Sequence, residues 1–271
     1  MLSIKSMFLL GGITLLVSCT SGPLTINLTN TLDVSRQNET VEIDIYDLPQ
    51  NMVSMIERVG VYDPSEGLFL TTQLIDLDKD GQMDQLIFQP ELAAKSSKIY
   101  HIIEHLEKET DVKYCYSRFV PSRIDDYTWE NNRVAFRTYG PAAQDLIENG
   151  QKGGIISSGI DCWLKRVDYP VIDKWYKASE EEGISYHEDH GEGLDNYHVG
   201  ISRGAGGLSI KGADDQYFVS KNFTAYNTIS NGPLRTIFQL DYADWDGPDG
   251  KIKEQKTISL DYGNNLMKIE V

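Results

Sequence analysis

The alternation in Thr40-Val41-Glu42-Ile43-Asp44-Ile45-Tyr46 constrains the fold more than any other feature of the chain. Apolar side chains at every second position leave one face for a core and one for water, which is the period of a half-buried strand. Similar short runs lie at 24–28, 67–73, 85–89 and 98–105, with turn residues between them, although Ile102, Ile103 and Leu106 also suit a short helix. Together they predict a small β-sandwich of Ig-like size over residues 20–112. Residues 113–271 are denser in Gly, aromatic and charged side chains, with strand-like pieces at 133–139, 207–211, 234–242 and 253–260. Segments 160–176 and 184–207 follow neither a strand nor a helix period. They read as long irregular stretches, where function often sits on a β scaffold. The run 266–271 is strand-like and reaches the last residue, so the larger domain reads as incomplete. The expected class is mainly β.

Residues 1–18 read as a leader rather than as fold. Lys5 gives a short positive start, and 7–17 is an apolar stretch too short to span a bilayer, which takes about 20 residues. It ends Leu16-Val17-Ser18-Cys19, similar to a bacterial lipobox, with Cys19 as the residue that would carry the lipid. The competing reading is an ordinary secretory leader with a chance cysteine. Either way the protein is expected to be exported, with a periplasm-facing lipid anchor favoured and the lipid as its membrane contact. The chain has 25 basic and 41 acidic residues, a net charge of −16. Such acidity disfavours duplex nucleic acid and anionic membrane surfaces as partners. Beyond Cys19 there are Cys115 and Cys162, which read either as a disulfide or as two buried thiols.

Four segments carry side chains suited to chemistry. Tyr186-His187-Glu188-Asp189-His190-Gly191-Glu192-Gly193-Leu194-Asp195-Asn196-Tyr197-His198 gathers imidazoles, carboxylates and phenols, and so offers general acids and bases. His187, His190, Tyr197 and His198 are the catalytic candidates, and chemistry without a metal is favoured over a Zn²⁺ site on His-x-x-His. In Arg133-Val134-Ala135-Phe136-Arg137-Thr138-Tyr139, a strand would place Arg133, Arg137 and Tyr139 on one face, where two guanidiniums could clamp an anion. Salt bridges to the chain's own acids are the alternative. Trp163 and Lys165, within 159–170, suit a sugar ring and an anionic group. Arg203, in the glycine-rich 200–207, would point into the same site. No nucleotide-binding glycine motif occurs there. Separately, Asp76, Asp78, Asp80 and Asp84 have a spacing that can surround Ca²⁺, but Ile87 stands where an EF-hand loop carries Glu. The strand-like flanks favour a hairpin turn.

These segments, together with Asn231-Gly232-Pro233-Leu234-Arg235 and the Asp80-Gly81 turn, resemble the DUF4861 family over about residues 24–271. Asn132 stands where the pattern expects Asp, and Ala205 where it expects Cys. The resemblance implies an exported Bacteroidetes protein of polysaccharide-utilisation clusters, with a larger domain similar to the galactose-mutarotase supersandwich. It also implies a dehydratase, a carbon–oxygen lyase acting on the non-reducing-end uronic acid of acidic oligosaccharides. A non-catalytic glycan-binding lipoprotein and a metal-dependent hydrolase or epimerase are the competing expectations, with Ca²⁺ or Zn²⁺ as the metals these residues would take.

Overall fold

The computed structural model describes residues 23–106, 113–200 and 203–271, apart from the Asp214 side chain, and the backbone of 16–18. Cys19 and residues 1–15 of the expected leader lie outside the described residues. The chain divides into two compact units, Met1–Val112 and Lys113–Val271. Among the described residues, no helix is long and apolar enough to cross a membrane.

The first unit is a β-sandwich. Its strands are β1 (Leu16–Ser18), β2 (Leu24–Thr29), β3 (Val41–Asp44), β4 (Val59–Asp63), β5 (Leu68–Leu70), β6 (Thr72–Ile75), β7 (Gln85–Phe88) and β8 (Ser97–Glu104). One sheet has the order β1-β2-β8-β4-β5 and the other β3-β7-β6. Leu24, Ile26 and Leu28 of β2, with Val59, Val61, Tyr100 and Ile102, pack against Val41, Ile43, Leu86 and Phe88 of the facing sheet. Glu42 and Asp44 point to water, as the alternation requires. β6 and β7 pair antiparallel, so the aspartate-rich segment 76–84 is their hairpin loop.

The second unit is also mainly β. Five strands come first: β9 (Tyr116–Val120), β10 (Asp126–Glu130), β11 (Val134–Thr138), β12 (Ile160–Lys165) and β13 (Gly193–Leu194), in the order β13-β12-β11-β10-β9. Two ribbons follow, β14 (Ser209–Lys211) with β15 (Tyr217–Val219) and β18 (Trp245–Gly247) with β19 (Gly250–Ile252). The second large sheet runs β16 (Phe223–Ser230), β17 (Arg235–Tyr242), β20 (Gln255–Asp261) and β21 (Lys268–Glu270). The two large sheets bury Tyr127, Trp129, Phe136 and Ile160 against Phe223, Phe238, Leu240, Tyr242, Ile258 and Leu260. Phe238 sits 5.0 Å from Trp129 and 4.5 Å from Tyr127, ring centre to ring centre.

The opposite face of the five-stranded sheet is covered as well. The short helix α1 (Ile172–Lys177) and the following loop lay Ile172, Trp175, Tyr176 and Tyr186 over Val120, Ala135 and Trp163. The segment 160–176, expected to be irregular, therefore contains a central strand and this helix. Burial on both faces removes the alternation by which a strand is recognised. Cys115 is buried and Cys162 partly buried, and both are free thiols, so the disulfide reading fails.

Two of the family-like segments are joints between loops and sheets. Asn131 Nδ2 donates to the carbonyls of Asp261 and Asn264 at 2.6 and 2.7 Å, and Asn132 Oδ1 accepts from the Gly263 N–H at 2.7 Å. Around the glycine-rich segment, a Cβ on Gly159 would lie 1.7 Å from the Arg203 carbonyl oxygen. The close backbone approach that these glycines allow is to the protein itself. Ile160 and Ala205 complete it as an antiparallel bridge.

Candidate functional site

The register of four strands builds a buried charge cluster on the covered face of the second unit. Arg137 on β11 stands opposite Asp161 on β12 and opposite Thr128 on β10, two residues from Asp126. Strand parity sends Asp126, Arg137 and Asp161 to the same side. Asp195, just after β13, completes the group. Arg137 Nε donates to Asp161 Oδ2 at 2.9 Å. Its Nη1 lies 3.7 Å from Asp126 Oδ2 and its Nη2 3.5 Å from Asp195 Oδ2. Nη1 also donates to the Tyr186 hydroxyl at 3.2 Å, and the guanidinium lies over the rings of Tyr139, Trp163 and Tyr186.

One guanidinium thus faces three carboxyl groups in a low-dielectric setting. Tyr176 donates to Asp126 at 3.1 Å. Burial nevertheless pushes the Asp126 carboxyl up to about 6, against the pull of Arg137. Burial, then the neighbouring Asp161 charge, pushes Asp195 up to about 7. His187 closes the open side. Its Nδ1 lies 3.1 Å from the Asp195 carbonyl oxygen and 3.3 Å from Asp195 Oδ2. Both neighbours are acceptors, so Nδ1 carries the proton and Nε2 presents a lone pair. The His187 side chain is 56% exposed, whereas Asp195 is 0% exposed.

Next to this cluster lies a cavity of about 380 Å³, lined among others by Lys174, Trp175, Tyr186, Glu188, His190 and Glu192. That volume falls within the range of small-molecule sites, about 300–1,000 Å³. Trp175 and Tyr186 give it an aromatic wall, and Trp163 stacks between those two rings, with centroids at 5.7 and 5.1 Å. Glu192 is fixed at the rim by Lys174, Tyr169 and the Trp175 indole N–H. The hydrogen bonds from Lys174 and then Tyr169 lower its carboxyl to about 2. His190 Nε2 lies 3.1 Å from the Ser185 carbonyl and so carries a proton, which leaves Nδ1 as the atom that can take or give one.

Of the residues singled out in the sequence, His187, Arg137 and Tyr139 come together, and His190 lies on the adjoining cavity. Tyr139 reaches Asp161 at 3.5 Å. Tyr197 and His198 are exposed on the segment that follows Asp195. The structure places four other candidates differently from the expectation. Arg133 is exposed in the turn between β10 and β11, its backbone N–H held by Asn131 Oδ1 at 2.8 Å, and it forms no clamp with Arg137. Lys165 has a fully buried side chain, bonded to Glu130 Oε2 at 2.8 Å and to the Asn131 carbonyl at 2.6 Å, so it is not a surface cation. Trp163 is 1% exposed and serves as the middle of the aromatic stack. Arg203 turns its guanidinium to the Ser220 carbonyl. Arg137 itself is occupied by the chain's own acids, the alternative that the sequence had left open.

Asp126, Tyr176 and Arg123 were missed. Asp126 alternates with apolar neighbours in Asp126-Tyr127-Thr128-Trp129-Glu130, a strand pattern with acids on one face, and that was the available signal. Arg123 donates to the Tyr186 hydroxyl at 2.6 Å and lies over the rings of Tyr176 and Tyr186.

In the first unit, Asp76, Asp78 and Asp84 bring ligand oxygens within 4.8 Å of one another. Asp80 is not among them and accepts from the Gln82 N–H at 2.7 Å. The Asp76 carboxylate takes the N–H groups of Lys79 and Gly81 at 2.7 and 2.9 Å, as an Asp/Gly hairpin loop does.

No solved structure matches the chain. Among curated proteins it is similar to "Uncharacterized protein P7" of Formosa agariphila, with 51% identity over 249 residues. That alignment covers 91% of this chain and 62% of the relative, so the chain spans under two thirds of the relative's length. The model of a domain of unknown function, DUF4861, matches residues 28–271. That match takes in most of the first unit and all of the second, and the chain belongs to the DUF4861 family.

Proposed function

We propose that this protein is an exported, lipid-anchored participant in the breakdown of acidic polysaccharides, with Cys19 as the lipid-bearing residue. In this reading it is a carbon–oxygen lyase that removes water from the non-reducing-end uronic acid of an oligosaccharide. The observation that carries the reading is His187: an exposed imidazole held by Asp195 through Nδ1, with its Nε2 lone pair free, beside an aromatic-walled cavity.

That arrangement is a base backed by an orienting carboxyl. The C5 proton of a uronate is acidic because it lies α to the carboxylate. His187 Nε2 takes it, and the electron pair left on C5 forms the C4=C5 double bond. The hydroxyl at C4 departs as water after accepting a proton from His190 in its imidazolium form. Lys174, which lines the cavity with a 60% exposed side chain, offers a cation to the charge that develops on the substrate carboxylate. The sugar face packs on the wall formed by Trp175 and Tyr186.

The test is an absorbance assay for the C4=C5 unsaturated uronate on uronate-ended fragments of ulvan, pectin and glycosaminoglycans. It uses this chain and the full-length Formosa agariphila relative in parallel. An absorbance rise that is abolished in His187→Ala is the expected result. No rise from either protein across the panel counts against the reading. The aromatic wall also favours a second reading, glycan binding without turnover. In that case oligosaccharide binding persists in His187→Ala and His190→Ala, and no product forms.

A further inference from the structure

Asp161 and Asp195 meet inside the second unit at the Arg137 guanidinium, with more acceptor oxygens than it satisfies. Asp161 gives Oδ2 to Arg137, which leaves its Oδ1 buried and unpartnered. Both oxygens of Asp195 are likewise buried without a well-formed hydrogen bond. Arg137 Nη2 at 3.5 Å and His187 Nδ1 at 3.3 Å turn toward Asp195 without closing one. Both carboxyl groups turn to one guanidinium, Asp161 at Nε and Asp195 toward the neighbouring Nη2, so the two crowd a single counter-charge. Ionised carboxylates have lone pairs and no proton to give, so two of them crowded together repel. A buried pair of this kind resolves the conflict by keeping one proton.

We propose that Asp161 and Asp195 share a single proton at neutral pH and act as one buried acid–base dyad that positions His187. The proton turns that repulsion into an O–H···O⁻ hydrogen bond, of the charge-assisted kind that is both short and strong. Groups from every packed element bear on it. Arg137 on β11 favours the ionised form, while Asp126 on β10 favours the protonated one. Tyr139, just past β11, reaches Asp161 at 3.5 Å, the Cys162 thiol on β12 feels both carboxyl charges, Tyr176 on α1 donates to Asp126, and His187 meets Asp195 from the loop. Burial sides with the proton and carries the Asp195 carboxyl up to about 7. Since His187 is the base of the proposed reaction, the dyad deepens that reading. It stands on two buried carboxyl groups that meet one guanidinium with three oxygens left unpartnered, however, and its test needs no substrate.

The test is infrared spectroscopy of the full chain with ¹³C-labelled aspartate, from about pH 5 to about pH 9, in H₂O and D₂O. Two protonated carboxyls are expected at the acid end. One is lost near 6, from Asp126, and the other near 7, from the dyad. The upper step should vanish in folded Asp161→Asn and in folded Asp195→Asn, and persist in Asp126→Asn. Because the wild-type titration needs no variant, a variant that fails to fold does not remove the test. Absence of the upper step in the wild type overturns the proposal. So does an upper step that survives in both folded dyad variants, or a stoichiometric divalent cation in the wild type that Asp195→Asn loses. A protein with no glycan turnover but an intact upper step sinks the lyase and leaves the dyad standing.

Discussion

The two faces of the five-stranded sheet use the same strands for opposite ends. On one face Tyr127, Trp129 and Phe136 pack against aromatic and aliphatic side chains of the second sheet. On the other, one residue along, Asp126, Glu130, Arg137, Asp161 and Lys165 are buried as charges or potential charges. The first face gains from removing apolar area from water, about 25 cal/mol per Å². The second gains little net stability, because desolvating an ion pair offsets most of its Coulomb attraction. The lesson is that alternation distributes tasks. One face holds the sheets together, and the other carries the ionisable groups at the expense of stability.

Four measurements would break or sharpen this contrast. The largest loss is expected from Trp129→Ala, about 3–5 kcal/mol in denaturant unfolding, since the side chain is fully buried between the sheets. A loss below about 1 kcal/mol would show that the apolar face is not the main support. Next comes Lys165→Met, which strands Glu130 without its counter-charge and should cost about 3 kcal/mol. Adding Glu130→Gln should restore part of that, and a double variant no better than the single one would refute the pairing.

The third measurement is the pH dependence of stability. Asp126 is raised to about 6 in the folded state, so its contribution is fully present below the unfolded value and is lost as pH rises through 6. Unfolding free energy should therefore fall by about 1–3 kcal/mol between about pH 4 and pH 7, and Asp126→Asn should flatten that part of the curve. A wild-type curve that rises over this range would contradict the assigned protonation. The smallest effect is expected at the exposed pair Lys268–Glu270, 3.1 Å apart, where Lys268→Ala should change stability by less than about 0.5 kcal/mol.

Some of this was legible in advance. The β3 strand and the hairpin around 76–84 follow from local pattern: alternation, then aspartates and Gly81 in a loop, then another strand. β12 was not legible, because Asp161, Trp163 and Lys165 are covered on one side and Ile160 and Cys162 on the other. Arg137 was found, but its partners were not. Asp126, Asp161 and Asp195 are scattered along the chain, and only the strand register brings them to one guanidinium. Lys165 was misjudged for the same reason. Its partner Glu130 sits two strands away, and nothing in the residues around Lys165 announces an acid beneath it.

Glu130 does more than neutralise Lys165. Its two carboxylate oxygens also receive the N–H groups of Val171 and Ile172 at 2.9–3.1 Å, the first turn of α1. A six-residue helix has almost no stability of its own in water. This one, which carries Lys174 and Trp175 to the cavity wall, therefore hangs from a side chain of the sheet. Fraying it would take the Val171 and Ile172 N–H groups from a buried carboxylate, so the wall should not breathe apart from the sheet. The amides of Val171 and Ile172 should then exchange with deuterium only when the whole second unit unfolds, as slowly as those of β10.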